Sequence, residues 1–478
     1  MTHLNRTPIL LAALASVLLL PGCGGGGGGG VSAPAASPTP TVATFTVGGT
    51  VSGMFGSGLV LQNNAGDDVT VNANGNFLFA TTLAAPSAYA VSIKTQPKLP
   101  AQTCTLAAGS GAIAASNVTN VTVSCALALS APKFAYVANA GDPSITSFTI
   151  NASTGALTAI PLTLAESQLP GTQPVSLAVD PSNKFLYAAD VTNHNVLAFT
   201  LNPTTGKHTA VAGGVYATGG RLPNSVAVDP TGKYVYVANQ QDGAGGTIGS
   251  VSAFAVNPGT GALTAVPGSP FSAGLTPTAV AVDPKGKFVY AANLGNPAIL
   301  GNISAFTVNT ATGALTPIAG SPFEFGLSPR TLAVDPSGRA LAVTGTGGAM
   351  RGYDINQSTG AITNQAINGP GFALGLSIAF DPTGQFAYSA SFGGNSVLTL
   401  NFNAAAQLTG GGAAIISAGG PTQVVTDPSG KFVYVSNGAG GVGTISGFSI
   451  NPTTGNLAVL PSSPTTAGLV PRAIALTR

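Results

Sequence analysis

The chain has 478 residues, 16 Lys or Arg against 14 Asp or Glu, so its net charge is +2 and only 6% of it is charged. That balance supplies no basic field for a phosphate backbone and excludes nucleic acid as a partner, while 44% apolar residues exclude charge-driven disorder and 65 Gly with 35 Pro exclude a coiled coil. The longest apolar run, Ile9–Leu20, is shorter than the roughly 20 residues of a membrane span.

Residues 1–22 read as a secretory signal, with His3 and Arg6 in a short n-region and Ile9–Leu20 as its apolar core. Leu20-Pro21-Gly22-Cys23 resembles a bacterial lipobox, which implies that Cys23 is lipidated and becomes the new N-terminus. The alternative is a plain signal peptide with an incidental Cys23. Residues 23–41 form a tether, flexible through Gly24–Gly30 and Pro-rich after it. Several acyl chains on one Cys anchor stably where one is marginal. Gly24, and not Asp, follows the Cys, which by the same resemblance implies an outer-membrane lipoprotein of the bacterial cell envelope, its lipid anchor in the membrane.

Cys104 and Cys125 remain as an even pair. An exported chain meets an oxidising space, so a Cys104–Cys125 disulfide is expected; two buried free thiols are the alternative. No Cys-x-x-Cys spacing supports a metal site, and no cofactor motif is present.

Residues 42–127 read as a small β module. Thr44–Val47, Val69–Val71, Phe77–Phe79, Tyr89–Ile93 and Val118–Val123 have strand composition, separated by turn dipeptides such as Asn63-Asn64 and Asn74-Gly75. Six or seven short strands in a sandwich of immunoglobulin-like type are expected. Asp67-Asp68 reads as a polar hairpin tip.

Residues 133–478 repeat. Strand, Asp-Pro turn and strand recur, with the Asp at 180, 229, 283, 335, 381 and 427. The period near 50, with a third strand and an Asn-Pro-x-Thr-Gly hairpin leading to a fourth, predicts propeller blades. Six Asp-Pro units accompany seven outer halves. The unmatched outer half, Phe134–Asn139, lacks an inner strand, and Pro471–Thr477 aligns with Pro329–Asp335, so the C-terminal strand is expected to close the ring. The fold class is all-β: a seven-bladed β-propeller over 133–478, preceded by the sandwich module and the lipoprotein signal and tether.

The Asp-Pro-x-Gly-Lys-aromatic-x-Tyr-Val-x-Asn pattern resembles YVTN-type propellers. The Asn-Pro-x-Thr-Gly-x-Leu hairpin resembles the β-propeller lactonases, which include 6-phosphogluconolactonase-like and cycloisomerase-like proteins. The resemblance covers about residues 133–478 and implies that ligands sit over the central channel, on the face opposite the Asp-Pro turns. On that face Arg330 and Arg472 share one repeat position, just before the inner strands of two blades. Arg221, Glu324, His194, Asp190 and Asp242 are placed on the same face. In the lactonase family Pro-Arg-His often precedes the inner strand; here Pro329-Arg330-Thr331 lacks the His, leaving His194 as the neutral-pH base, since His208 falls in an outer hairpin.

Two functions follow. One is a binding or scaffolding module that holds a small anionic or sugar ligand, or a protein partner, through the arginines. The other is a sugar-lactone hydrolase, in which Arg330 or Arg472 stabilises the oxyanion and Glu324 or His194 activates water.

Overall fold

Burial alternates along Leu59–Asn63 and from Val121 to Ala126, so each strand buries one side. The computed structural model describes residues 42–478 apart from 99, 347–348, 369–374, 404 and 440; the signal segment, Cys23 and the tether lie outside the described residues. Gly75–Leu78, Val47–Ser52, Val118–Leu127 and Gln102–Ala107 form one four-stranded sheet, whose central pair is parallel. Asp67–Val71, Leu59–Asn63, Ser87–Thr95 and Ser110–Ile113 form the other. Val47, Leu61, Ile113 and Val121 from both sheets fill one core. The sandwich therefore has eight strands in its two sheets, more than composition suggested. Ser110-Gly111-Ala112-Ile113 has little strand propensity and is held by pairing with Ser87–Ala90. Cys104 and Cys125 sit directly opposite on neighbouring strands and are joined by a disulfide.

From Phe134 onward, seven sheets of four or five strands follow. Blade 1 combines Pro471–Leu476 with Phe134–Asn139, Ser144–Ile150 and Leu157–Ala159. Blades 2 to 7 begin at the inner strands Pro174–Val179, Arg221–Val228, Pro277–Val282, Pro329–Val334, Gly375–Phe380 and Pro421–Thr426. Pairing of Ala135 with Leu476 and Val137 with Ile474 closes the ring and leaves no open inner edge.

Repeated residues hold turns and joints. The Asp427 carboxylate accepts from the backbone N–H groups of Lys431 and Phe432 at 2.8 Å, and the other five turn aspartates accept the second of these bonds, from the N–H of Phe185, Tyr234, Phe288, Ala340 and Phe386. Gly430 closes the turn at φ +71, a conformation that favours Gly. The buried Tyr of each second strand donates its hydroxyl to the hairpin Gly carbonyl of the next blade, as in Tyr136 to Gly206 (3.1 Å) and Tyr434 to Gly155 (2.8 Å), the latter joining blade 7 to blade 1. Only Gly fits there: a Cβ on Gly155 would lie 2.6 Å from the Phe432 ring.

Blade 5 breaks the pattern on both sides of the joint. It carries Ala340 and Ala342 where other blades carry the aromatic and the Tyr, and the facing hairpin of blade 6 has Ala406 in place of Gly. The smaller Ala340 leaves room for the Ala406 Cβ. Gln365 supplies the missing donor, its Nε2 reaching the Ala406 carbonyl at 3.2 Å.

The sandwich sits at the Asp-Pro end. The Arg339 guanidinium lies 5.2 Å from the Phe55 ring centroid, and Lys98, Pro100, Ala101 and residues 127–130 face the six turn prolines across a cavity of about 750 Å³. Tyr434→Phe, which strands the Gly155 carbonyl, is expected to cost about 1–2 kcal/mol in urea unfolding. Deleting Val470–Arg478 is expected to abolish single-step unfolding of the ring; an unchanged melting curve contradicts closure.

Candidate functional site: the open mouth of the channel

Every inner strand is irregular at the same place. Register with the second strand shifts between Pro329 and Thr331, and likewise at Pro174/Ser176, Pro223/Ser225, Pro277/Ala279, Gly375/Ser377 and Pro421/Gln423. In blade 1 the shift falls opposite Pro471 and Ala473. A bulge unpairs one residue and re-aims its side chain. Those seven residues are Arg472, Val175, Asn224, Thr278, Arg330, Leu376 and Thr422 in blades 1 to 7, and all seven line a cavity of about 410 Å³ at the channel mouth.

Most polar groups in this lining already have structural work. Ser176, Ser225 and Ser377 accept the N–H of Val226, Val280 and Val424 in the following blade, and Gln423 Oε1 accepts the Ile474 N–H at 2.6 Å. Asn224 donates to the Thr278 carbonyl, Thr278 to that of Arg330, and Thr422 to that of Pro471, each at 2.8 Å. These bonds hoop the inner strands together.

The two arginines are different. Neither guanidinium makes a hydrogen bond or ion pair among the described residues, and Arg330 Nε is buried with no partner. The described lining holds no carboxylate and no imidazole. Two guanidinium groups thus share a concave site without a counter-charge, an arrangement suited to an anion. Arg330→Met is expected to change unfolding stability by less than about 0.5 kcal/mol, because no bond is lost. Gln423→Ala is expected to cost about 1 kcal/mol; the reverse ranking in urea melts contradicts this division of labour.

The remaining candidates fall outside the lining. The His194 ring Nδ1 lies 3.1 Å from the Val191 carbonyl of its own loop and 3.2 Å from the N–H of Leu222 at the head of blade 3's inner strand, so it ties these two segments together. Glu324 is exposed on an edge strand and Arg221 is exposed on a neighbouring blade. Asp190 stands where four other blades have a buried Asn, and accepts from Gln173 N–H and Asn193 Nδ2. Asp242 caps Gly246 N–H. His208 is buried between blades 1 and 2 beside Ser147.

Burial pushes the His208 pKa down to about 4. The folded state therefore prefers the neutral ring, and its contribution is complete above the unfolded value of about 6.5. It is lost as pH falls through about 4. Urea melts at pH 7.5 and 4 should show about 3 kcal/mol of acid destabilisation that His208→Gln removes. An equal slope in the variant contradicts the assignment.

Against known proteins, the family described as lactonase, 7-bladed beta-propeller, matches residues 98–217, 265–371 and 373–476. No curated protein matches this chain in sequence. Among solved structures, the Pseudomonas aeruginosa periplasmic gluconolactonase PpgL is similar at 16% identity and TM-score 0.58, over 72% of this chain and 99% of its own. A Lactobacillus plantarum protein is similar at 20% identity and TM-score 0.58, over 73% of this chain and 100% of its own. A Bacteroides fragilis protein named as a candidate 6-phosphogluconolactonase is similar at 19% identity and TM-score 0.56, over 73% of this chain and 98% of its own. Identities this low speak for the fold alone. With matched segments covering well over half of its length, the chain belongs to the seven-bladed β-propeller lactonase family.

Proposed function

We propose that the channel mouth binds a small, hydroxyl-rich anion of the sugar-acid class. Arg330 and Arg472 hold the charge, and Gln173, Asn224, Gln240 and Thr331 offer neutral polar groups to hydroxyls. The observation that carries the reading is the pair of unpartnered guanidinium groups in a cavity without a lining carboxylate. Titration calorimetry with gluconate is expected to show binding that weakens at least tenfold in Arg330→Ala and in Arg472→Ala. Unaltered affinity in the double variant defeats it.

Membership of the lactonase family favours a second reading, hydrolysis of a sugar lactone in the same cavity. Water or hydroxide adds to the lactone carbonyl, and one guanidinium stabilises the oxyanion. The ester C–O bond then breaks, giving a carboxylate and a free hydroxyl, with the released proton passing to solvent. Neither His194 nor Glu324 reaches the described lining, so no residue there serves as a base. Accordingly kcat/KM for gluconolactone, corrected for spontaneous opening, should rise with pH from 6 to 9 without a downturn. A bell-shaped profile requires a titrating acid and base and contradicts this mechanism.

The same proposal places the protein at the bacterial outer membrane, anchored through lipidated Cys23. Membrane partition that persists in Cys23→Ala overturns the anchor.

A further inference from the structure

Thirteen large apolar side chains are exposed among the described residues, and nine of them lie at the open-face ends of blades 2 to 7. The most exposed of these nine are Ile416 at 79%, Leu300 at 64% and Val442 at 62%, with Val215, Ile248 and Ile299 close behind. Each sits at or near the end of an outer strand or at the start of a third strand, around the mouth that holds Arg330 and Arg472. The opposite end differs. There the sandwich module faces the Asp-Pro turns, and exposed Lys133, Lys184, Lys233, Lys287 and Lys431 open the second strands. Apolar surface gathered on one face marks an interaction site.

We propose that the open face docks a protein whose contact surface projects an acidic side chain, surrounded by apolar ones, into the mouth. This rests on the reading of the mouth as an anion site. The two arginines supply the charge complementarity, and the apolar rim supplies desolvated contact around it. A second copy of this chain does not fit, because face-to-face packing would bring four guanidinium groups together with no counter-charge in the lining. A bilayer does not fit either. Flat anionic membranes are met by projecting lysines and arginines, whereas these arginines line a cavity and exposed Glu324 stands on the same face. A protruding carboxylate reaches such a cation; a planar layer of headgroups does not.

The test is selection of constrained twelve-residue peptide loops on the immobilised full chain, from libraries with a central Asp or Glu and from matched libraries with Asn or Gln. The acidic libraries should enrich, with Leu, Ile or Phe within three positions of the acid. Selected peptides should lose at least tenfold affinity for Arg330→Ala and for a Leu300→Ser, Ile416→Ser, Val442→Ser variant, and gluconate should compete with them. No preference for the acid, or equal binding to the rim variant, overturns the proposal. So does rim-dependent dimerisation in sedimentation, or rim-dependent flotation with phosphatidylglycerol vesicles. If gluconate fails to bind while the peptides still depend on Arg330 and the rim, the sugar-acid reading falls and the docking surface stands.

Discussion

A ring of separate sheets has no backbone hydrogen bonds running from one sheet to the next, so its stability depends on how neighbouring sheets are joined and on whether the last meets the first. Here the C-terminal strand pairs with Phe134–Asn139, and blade 1 is built from both ends of the propeller sequence. At six of the seven joints a Tyr hydroxyl meets a Gly carbonyl on the outside, and on the inside Ser, Thr, Asn or Gln side chains reach the backbone of adjoining strands. With 6% charged residues, ion pairs contribute little to this frame, and Lys94–Asp68 and Lys207–Glu166 are both solvent-accessible.

That frame presents one side chain per blade to the channel mouth, and in four blades this side chain makes no bond to the frame. The bulge at the start of each inner strand aims a single residue at the axis, and the type of that residue differs from blade to blade. Two of the seven are Arg, two are apolar, and three bond to the next blade's backbone or a neighbouring carbonyl. The site is therefore written in variable residues on an invariant support, which is why a shared fold within the lactonase family does not by itself fix a ligand.

Much of this was legible in the sequence because turn chemistry is local. Asp-Pro-x-Gly spells a tight turn and Tyr-Val-x-Asn a buried strand, and the likeness of Pro471-Arg472 to Pro329-Arg330 disclosed the closure and the arginine pair together. What stayed hidden is radial position. A residue's place in the repeat tells which end of a strand it occupies, but not how far that end lies from the axis. His194 and Glu324 are on the correct face yet one or more strands outward, with strands spaced about 4.8 Å apart. The bulges were hidden too, since register is a property of the pair and not of either strand. In the sandwich, Ser110–Ile113 becomes a strand only because a neighbour's edge awaits it.

Blade 5 shows the same logic in reverse. Ala340, Ala342 and Ala406 each look like decay of the repeat when read alone. Together with Gln365 they form a consistent substitute joint, visible only once the two blades face each other.

A crystal structure of the protein with gluconate decides whether the mouth is an anion site. Density is expected at the open mouth, with the carboxylate on the guanidinium groups of Arg330 or Arg472 and the buried Arg330 Nε satisfied. An empty mouth at saturating gluconate, or density seated elsewhere with both arginines untouched, would contradict it.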